Sequence, residues 1–241
     1  MKILAIDTST SIAGVCLFSE DGIIGEFLMN NLKSHSKNLV PMVDELLKYV
    51  NVEMEDIDVI AVSLGPGSFT GLRIGLSVAK GFSYSLGKPI VGISSLDGLA
   101  QNVAHFDGII CPMIDSKNGQ VYTALYKSEN QKIERISEPY CTDLEGLINI
   151  ISEKRDILFV GDGIYLWEAD IRNKLGERAY FAQASHNSVR ASSIAQLAYH
   201  RAQEGDFDDL FKLVPIYIKK SQAEIAYEKR LGGNDGRCQD N

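Results

Sequence analysis

One order of elements, β-β-β-α-β-α, can be read twice along this chain, and no other feature narrows its fold as much. In the first half, residues 2–7 (KILAID), 14–19 and 23–29 read as strands, with a polar turn at 8–11 and an Asp21-Gly22 hairpin signal. A helix follows over 34–50, with Leu39, Met42, Val43, Leu46, Leu47 and Val50 along one side. Pro41 is tolerated in a first turn, which places the helix proper near Leu39. Strand 59–64, helix 70–86, strand 89–93 and helix 95–104 close the half.

The second half gives strands 109–115, 120–127 and 132–137, helix 142–152, strand 157–160 and helix 165–175. A local echo accompanies the repeat, because Ile6-Asp7-Thr8-Ser9 and Ile114-Asp115-Ser116 each end the first strand of a half. A three-stranded meander followed by helix-crossed parallel strands makes a mixed α/β sheet. Duplicated, it predicts two lobes facing each other across a cleft. The expected divisions are a first lobe at 1–105, a second at 106–187, a helix and segment packing back across the lobes at 188–230, and a disordered polar tail at 231–241.

Within the first half the central stretch is IAVSLGPGSFTGLRIG, residues 60–75, a buried strand, a glycine turn and a helix start. Ser68 or Thr70 can cap the helix. A turn so poor in side chains lets an anion or another backbone approach, and also suits any strand-to-helix junction. The named phosphate loops do not fit. Thr70 or Leu72 stands where a Walker loop needs its second glycine, and Thr70 fills the third glycine slot of the dinucleotide pattern.

Composition removes other classes. The 241 residues are 45% hydrophobic, enough for a real core. The net charge is −8 with dispersed basic residues, which argues against this chain alone holding a nucleic-acid backbone. No apolar run reaches the ~18 residues of a membrane span, and the Met-Lys start leads straight into a strand, so a cytoplasmic location is expected. The four cysteines, Cys16, Cys111, Cys141 and Cys238, form no Cys-x-x-Cys pair.

The strings ILAIDTSTSIAGVCLF, SHSKNLVPMVDELL, SLGPGSFTGLRIG and PIYIKK resemble the TsaB (YeaZ) family over nearly the whole chain. The resemblance implies duplicated ribonuclease H-like lobes of the actin, heat-shock chaperone and sugar kinase type. It also implies a role in forming N6-threonylcarbamoyladenosine at position 37 of tRNA. In that family the protein is the non-catalytic partner of the paralogue TsaD, with the ATPase TsaE as third component, and it self-associates when alone. tRNA is then met only through the complex. No cofactor of its own is implied, with ATP or ADP possible at complex interfaces.

The residues allow chemical tests of that reading. TsaD-like enzymes carry a His-x-x-x-His pair whose two rings share one helical face and one ion. Ser95 and Leu99 stand there in this chain, and an isobutyl group cannot bind a cation. The histidines His35, His105, His186 and His200 are dispersed, with only Glu204 at ligand spacing from His200. Asp7 and Asp115 stand where kinases of the superfamily hold Mg²⁺, but each suits a turn role better. Gly-x-Ser-x-Gly is absent.

Function is therefore expected on a surface. The helix after the glycine turn carries Gly71, Gly75 and Ala79 in one row, flanked by Leu72 and Leu76. A mid-helix glycine costs about 1 kcal/mol, which close packing against the helix's own sheet or against a second helix would offset. Under the family resemblance, Leu39, Met42, Val43 and Leu46 with Leu72, Gly75, Leu76 and Ala79 are assigned to a partner-helix contact. Gly75→Leu or Ala79→Glu is then expected to spare the fold and abolish the complex. Gly65, Gly67, Ser68 and Arg73 are candidates for a nucleotide site shared with TsaD or TsaE, although Arg73 also suits a surface ion pair. The competing classes are an active nucleotide-dependent enzyme or glycoprotease-like hydrolase, and a homodimeric protein holding a nucleotide in its cleft.

Overall fold

A computed structural model describes residues 1–30, 35–151 and 156–219. The expectations for Ser34, for residue 152 and for 220–241, including Cys238 and the tail, lie outside the described residues. The first lobe comprises β1 (Ile3–Asp7), β2 (Ile12–Ser19), β3 (Gly22–Asn30), α1 (His35–Val50), β4 (Val59–Gly65), α2 (Phe69–Leu86), β5 (Ile90–Ser94) and α3 (Ser95–Gln101). Its sheet runs β3-β2-β1-β4-β5, with β1 antiparallel to β2 and parallel to β4. All five residues of β1 are buried because both faces are covered. Ile3 and Ala5 point to one core, while Leu4 and Ile6 point to another under α1 and α2.

The second lobe comprises β6 (Gly108–Lys117), β7 (Gln120–Thr123), β8 (Tyr126–Glu129), β9 (Lys132–Arg135), β10 (Tyr140–Thr142), α4 (Leu144–Ile151), β11 (Ile157–Val160), α5 (Ile164–Leu175) and β12 (Ala179–Phe181). Its main path, β10-β7-β6-β11-β12, repeats the first lobe's strand order. The expected strand 120–127 is split into β7 and β8. Both pieces keep one register on β6, Thr123 opposite Met113 and Tyr126 opposite Ile110. The gap falls opposite Pro112, which has no N–H to give the ladder. There Leu125 instead donates its N–H to Ser137 Oγ, at 2.8 Å. The expected third strand, 132–137, likewise continues after a break as β10, which sequence reading missed along with the three-residue β12.

Helix α1 begins at His35, a turn earlier than expected, so Pro41 lies inside it. Proline there costs about 3 kcal/mol. Burial of Leu39, Met42, Val43, Leu46 and Leu47 offsets that cost, and Pro41 itself sits on the exposed side. The last helix, α6 (Ala191–Gln203), packs with α3 between the sheets in a core to which both lobes contribute. On the far face of the second sheet, α4 and α5 cover a separate core. The order of layers is α1/α2, first sheet, α3/α6, second sheet, α4/α5.

Candidate functional site

The glycine turn is a seat for backbone. Ser68 caps α2, its Oγ accepting from Gly71 N at 3.2 Å, and Ser68 N donates to Ser9 O at 2.7 Å. Thr8 Oγ1 donates to Gly71 O at 2.7 Å. A Cβ on Gly67 would stand 2.1 Å from Ser9 O, one on Gly71 2.0 Å from Thr8 O, and one on Gly75 2.3 Å from Thr8 Oγ1. Of the two approaches the sequence allowed, an anion or another backbone, the second is seen at this turn, made by Thr8 and Ser9 after β1. Gly65 has φ +104°, a left-handed conformation that favours glycine.

This packing corrects the partner-contact assignment. Leu39, Met42, Val43, Leu46, Leu72, Leu76 and Ala79 are at most 7% exposed, and Gly75 is buried on Thr8. The chain's own sheet covers them all, so they are not available as a contact surface. The outward faces of the same helices are different. Val40 is 47% exposed, Tyr49 78% and Tyr84 72%. Ser77, Gly81 and Ser85 form an outer row on α2, with no atom within 4 Å of a Cβ placed on Gly81.

Between the lobes lies a cleft of about 460 Å³, walled by residues 9–11 and 67–71 on one side and by Ile114–Asn118, Tyr122, Asp162 and Lys219 on the other. Asp7 lies fully buried at the end of β1, just before this wall. Its Oδ1 accepts Ser9 N at 3.2 Å, the turn role. Its Oδ2 makes no hydrogen bond of good geometry among the described residues. Burial pushes its carboxyl up to about 6, and the nearby Ser63 and Ser9 hydroxyls offset only part of that. Asp115 repeats the turn role in the second lobe, accepting Lys117 N at 2.7 Å, and it also pairs with Lys117 Nζ at 2.7 Å. Asp115 N donates to Asp162 Oδ1 at 2.9 Å, and burial raises Asp162.

Of the four shared-nucleotide candidates, Gly67 and Ser68 line the cleft, and Gly65 lies buried behind them. Arg73 is engaged elsewhere, its Nε donating to Tyr217 OH at 2.9 Å with the guanidinium over that ring. An aromatic partner thus takes the place of the acidic one expected. Ser95 and Leu99 are both buried, and Gly98 between them packs on Ile194 of α6. Among the described residues no group of three or more His, Cys, Asp or Glu side chains is placed to share an ion. Lys117, Asp162, Tyr217 and Lys219 were not singled out in the sequence. Tyr217 and Lys219 lie in the PIYIKK string, which carries no periodicity to show what it touches.

A family model described as "TsaD: tRNA N6-adenosine threonylcarbamoyltransferase" matches residues 22–227. The tRNA threonylcarbamoyladenosine biosynthesis protein TsaB of Bacillus subtilis (strain 168) is 38% identical over 228 residues, which are 94% of this chain and 98% of that protein. YeaZ from Pseudomonas aeruginosa superposes with a TM-score of 0.75 at 25% identity, covering 90% of this chain and all of that one. At the level of fold alone, the ROK hexokinase of Thermus thermophilus matches with a TM-score of 0.50 at 11% identity, over 83% of this chain and 99% of its own. These likenesses agree with the duplicated lobes of the actin and sugar kinase type.

Proposed function

This chain belongs to the TsaB (YeaZ) family of tRNA threonylcarbamoyladenosine biosynthesis proteins, and from that premise we propose that it is a non-catalytic subunit that docks on the paralogue TsaD and works with the ATPase TsaE. The observation that carries this reading is the filling of the position where TsaD-like enzymes bear their histidine pair. Ser95 and Leu99 are packed in the shared core, 0% and 1% exposed. The docking surface is the outer face of α1 and α2, where Val40, Tyr49, Ser77, Gly81 and Tyr84 are exposed. Small residues on an exposed helix face let a second helix approach closely. Alone, the chain pairs with itself through the same face. It meets tRNA only in the complex, in keeping with its charge of −8.

The reading needs no cofactor of the chain's own, and ATP or ADP enters at the complex interfaces. Among the described residues no helix is long and apolar enough to cross a membrane, which is compatible with a cytoplasmic place of work. Reconstitution tests the proposal. TsaD and TsaE with this chain should modify tRNA, while the mixture without it, and the chain alone, should not. Turnover by the isolated chain would favour the hydrolase or kinase reading. Tight ATP binding by the isolated chain in calorimetry would favour a nucleotide-holding cleft.

A further inference from the structure

The segment after α6, residues 207–219, forms no further strand and meets the first sheet through one bridge, Asp208 to Ile90 of β5. It first fastens to the first lobe. Asp208 N donates to Ile90 O at 2.9 Å, Asp208 Oδ2 accepts Gly92 N at 2.8 Å, and Ile216 N donates to Leu64 O at 2.8 Å. It also runs alongside α2 from end to end. Phe211 sits edge-on to Tyr84 near the helix C-terminus, at 6.4 Å between centroids, and Tyr217 stacks on Phe69 at the N-terminus, at 4.5 Å and 10° between planes. Two residues later it crosses the cleft. Lys219 Nζ donates to Ser116 Oγ at 2.9 Å and lies over the Tyr122 ring, both in the second lobe.

The lobes are joined differently at their two sides. Behind the cleft they share a continuous apolar core around α3 and α6. At its mouth, Lys219 makes a single hydrogen bond and a cation–ring contact, each a modest interaction, while the half-buried Ile218 beside it packs on the edge of that core. A closed interior on one side and a light bridge on the other is the mechanical arrangement of a hinge with a strap. Tyr217 is the pivot, because Arg73 and Phe69 of α2 hold its ring while the chain leads directly on to Lys219.

We infer that residues 213–219 form a strap that couples the first turn of α2 to the β6–β7 wall of the cleft, so that a displacement of α2 changes how far the cleft opens. The inference rests on these contacts and not on the proposed partner. Its test is hydrogen exchange by mass spectrometry on the full chain with Tyr217→Ala, Tyr217→Phe and Lys219→Gln. The partners of the Tyr217 ring, Phe69 and Arg73, both belong to the first lobe. Tyr217→Ala should nevertheless speed exchange in residues 115–120 of the second lobe roughly tenfold, together with residues 68–73, while β1 and β4 keep their protection. Lys219→Gln should affect 115–120 alone, and Tyr217→Phe, which keeps the stack, should lie between wild type and Tyr217→Ala. If Tyr217→Ala leaves 115–120 within twofold of wild type, or raises exchange equally in β1 and β4, the coupling does not exist.

Discussion

The two lobes share a strand order and one turn chemistry, yet they spend them differently. In each, an aspartate accepts a backbone N–H two residues on, Ser9 N at Asp7, which ends β1, and Lys117 N at Asp115, where the β6–β7 ladder is irregular. In the first lobe that turn is roofed by the start of α2, where Gly67 just before the helix admits Ser9 and Gly71 and Gly75 within it admit Thr8. In the second it stays at the cleft, where Asp115 meets Lys117 and solvent. The helices whose ends are both described differ as well, α2 having 18 residues and its counterpart α5 12. The topology is shared, while one turn is buried under a helix and the other lines the cleft.

Opening that roof should have the largest effect. Gly71→Val places a side chain against the Thr8 carbonyl, a backbone atom that cannot rotate away, and should cost at least about 3 kcal/mol in chemical denaturation. Gly75→Leu does not spare the fold either, for a different reason: its Cβ would displace the buried Thr8 Oγ1 from its hydrogen bond to Gly71 O. Ala79→Glu would bury a carboxylate at a fully enclosed position and would destabilise the fold as well.

The aspartates sharpen the comparison next. Asp7 keeps its proton to about pH 6 when folded, against 3.8 ordinarily. Between those values the native state holds a proton that the unfolded chain has released, so stability falls as pH rises through that window. The loss amounts to about 3 kcal/mol above pH 6. Asp7→Asn retains an acceptor for Ser9 N and removes the charge, so it should raise the melting temperature at pH 7.5 and flatten stability between pH 4 and 6. Asp115→Asn breaks an ion pair whose lysine is largely exposed and should change stability by no more than about 0.5 kcal/mol. Equal responses at the two sites would erase the distinction between the lobes.

An intermediate effect is expected where β3 meets α6. Glu26, its side chain 7% exposed, pairs with Arg190 and accepts Ser192 N at 2.9 Å in the first turn of α6. Glu26→Ala should cost about 2 kcal/mol, read by denaturation, because it strips a helix start of its acceptor and leaves a partly buried guanidinium unpaired.

What sequence reading captured follows from range. The alternation in KILAID and the periodicity of α1 are local, so the elements, their duplicated order and the burial of Leu39, Met42, Val43, Leu46 and Leu47 are legible. The split at Ala124 was not, because its cause, Pro112, acts across a ladder. The role of the glycines was half legible: three of them along a turn and helix announce a close approach, but the approaching Thr8 lies about 60 residues away. Periodicity also shows that a stripe is covered without showing by what. Taking the covered stripe for the contact was the consequence.

A pair of glycines on one helix carries the distinction furthest. Gly75 faces Thr8 in the interior, and Gly81 faces open space. Replacing an exposed mid-helix glycine removes its backbone entropy cost, so Gly81→Leu should leave stability unchanged or raise it by up to about 1 kcal/mol. In the proposed complex the same leucine would push an approaching helix away from its 8–10 Å packing distance. Gel filtration with TsaD should then show two separate peaks for Gly81→Leu where wild type co-elutes, from a protein that melts no lower than wild type. Co-elution of Gly81→Leu at wild-type affinity would move the contact off α2 altogether. It would leave the outer row of small residues as a solvent face and the first lobe's long helices without the role assigned to them.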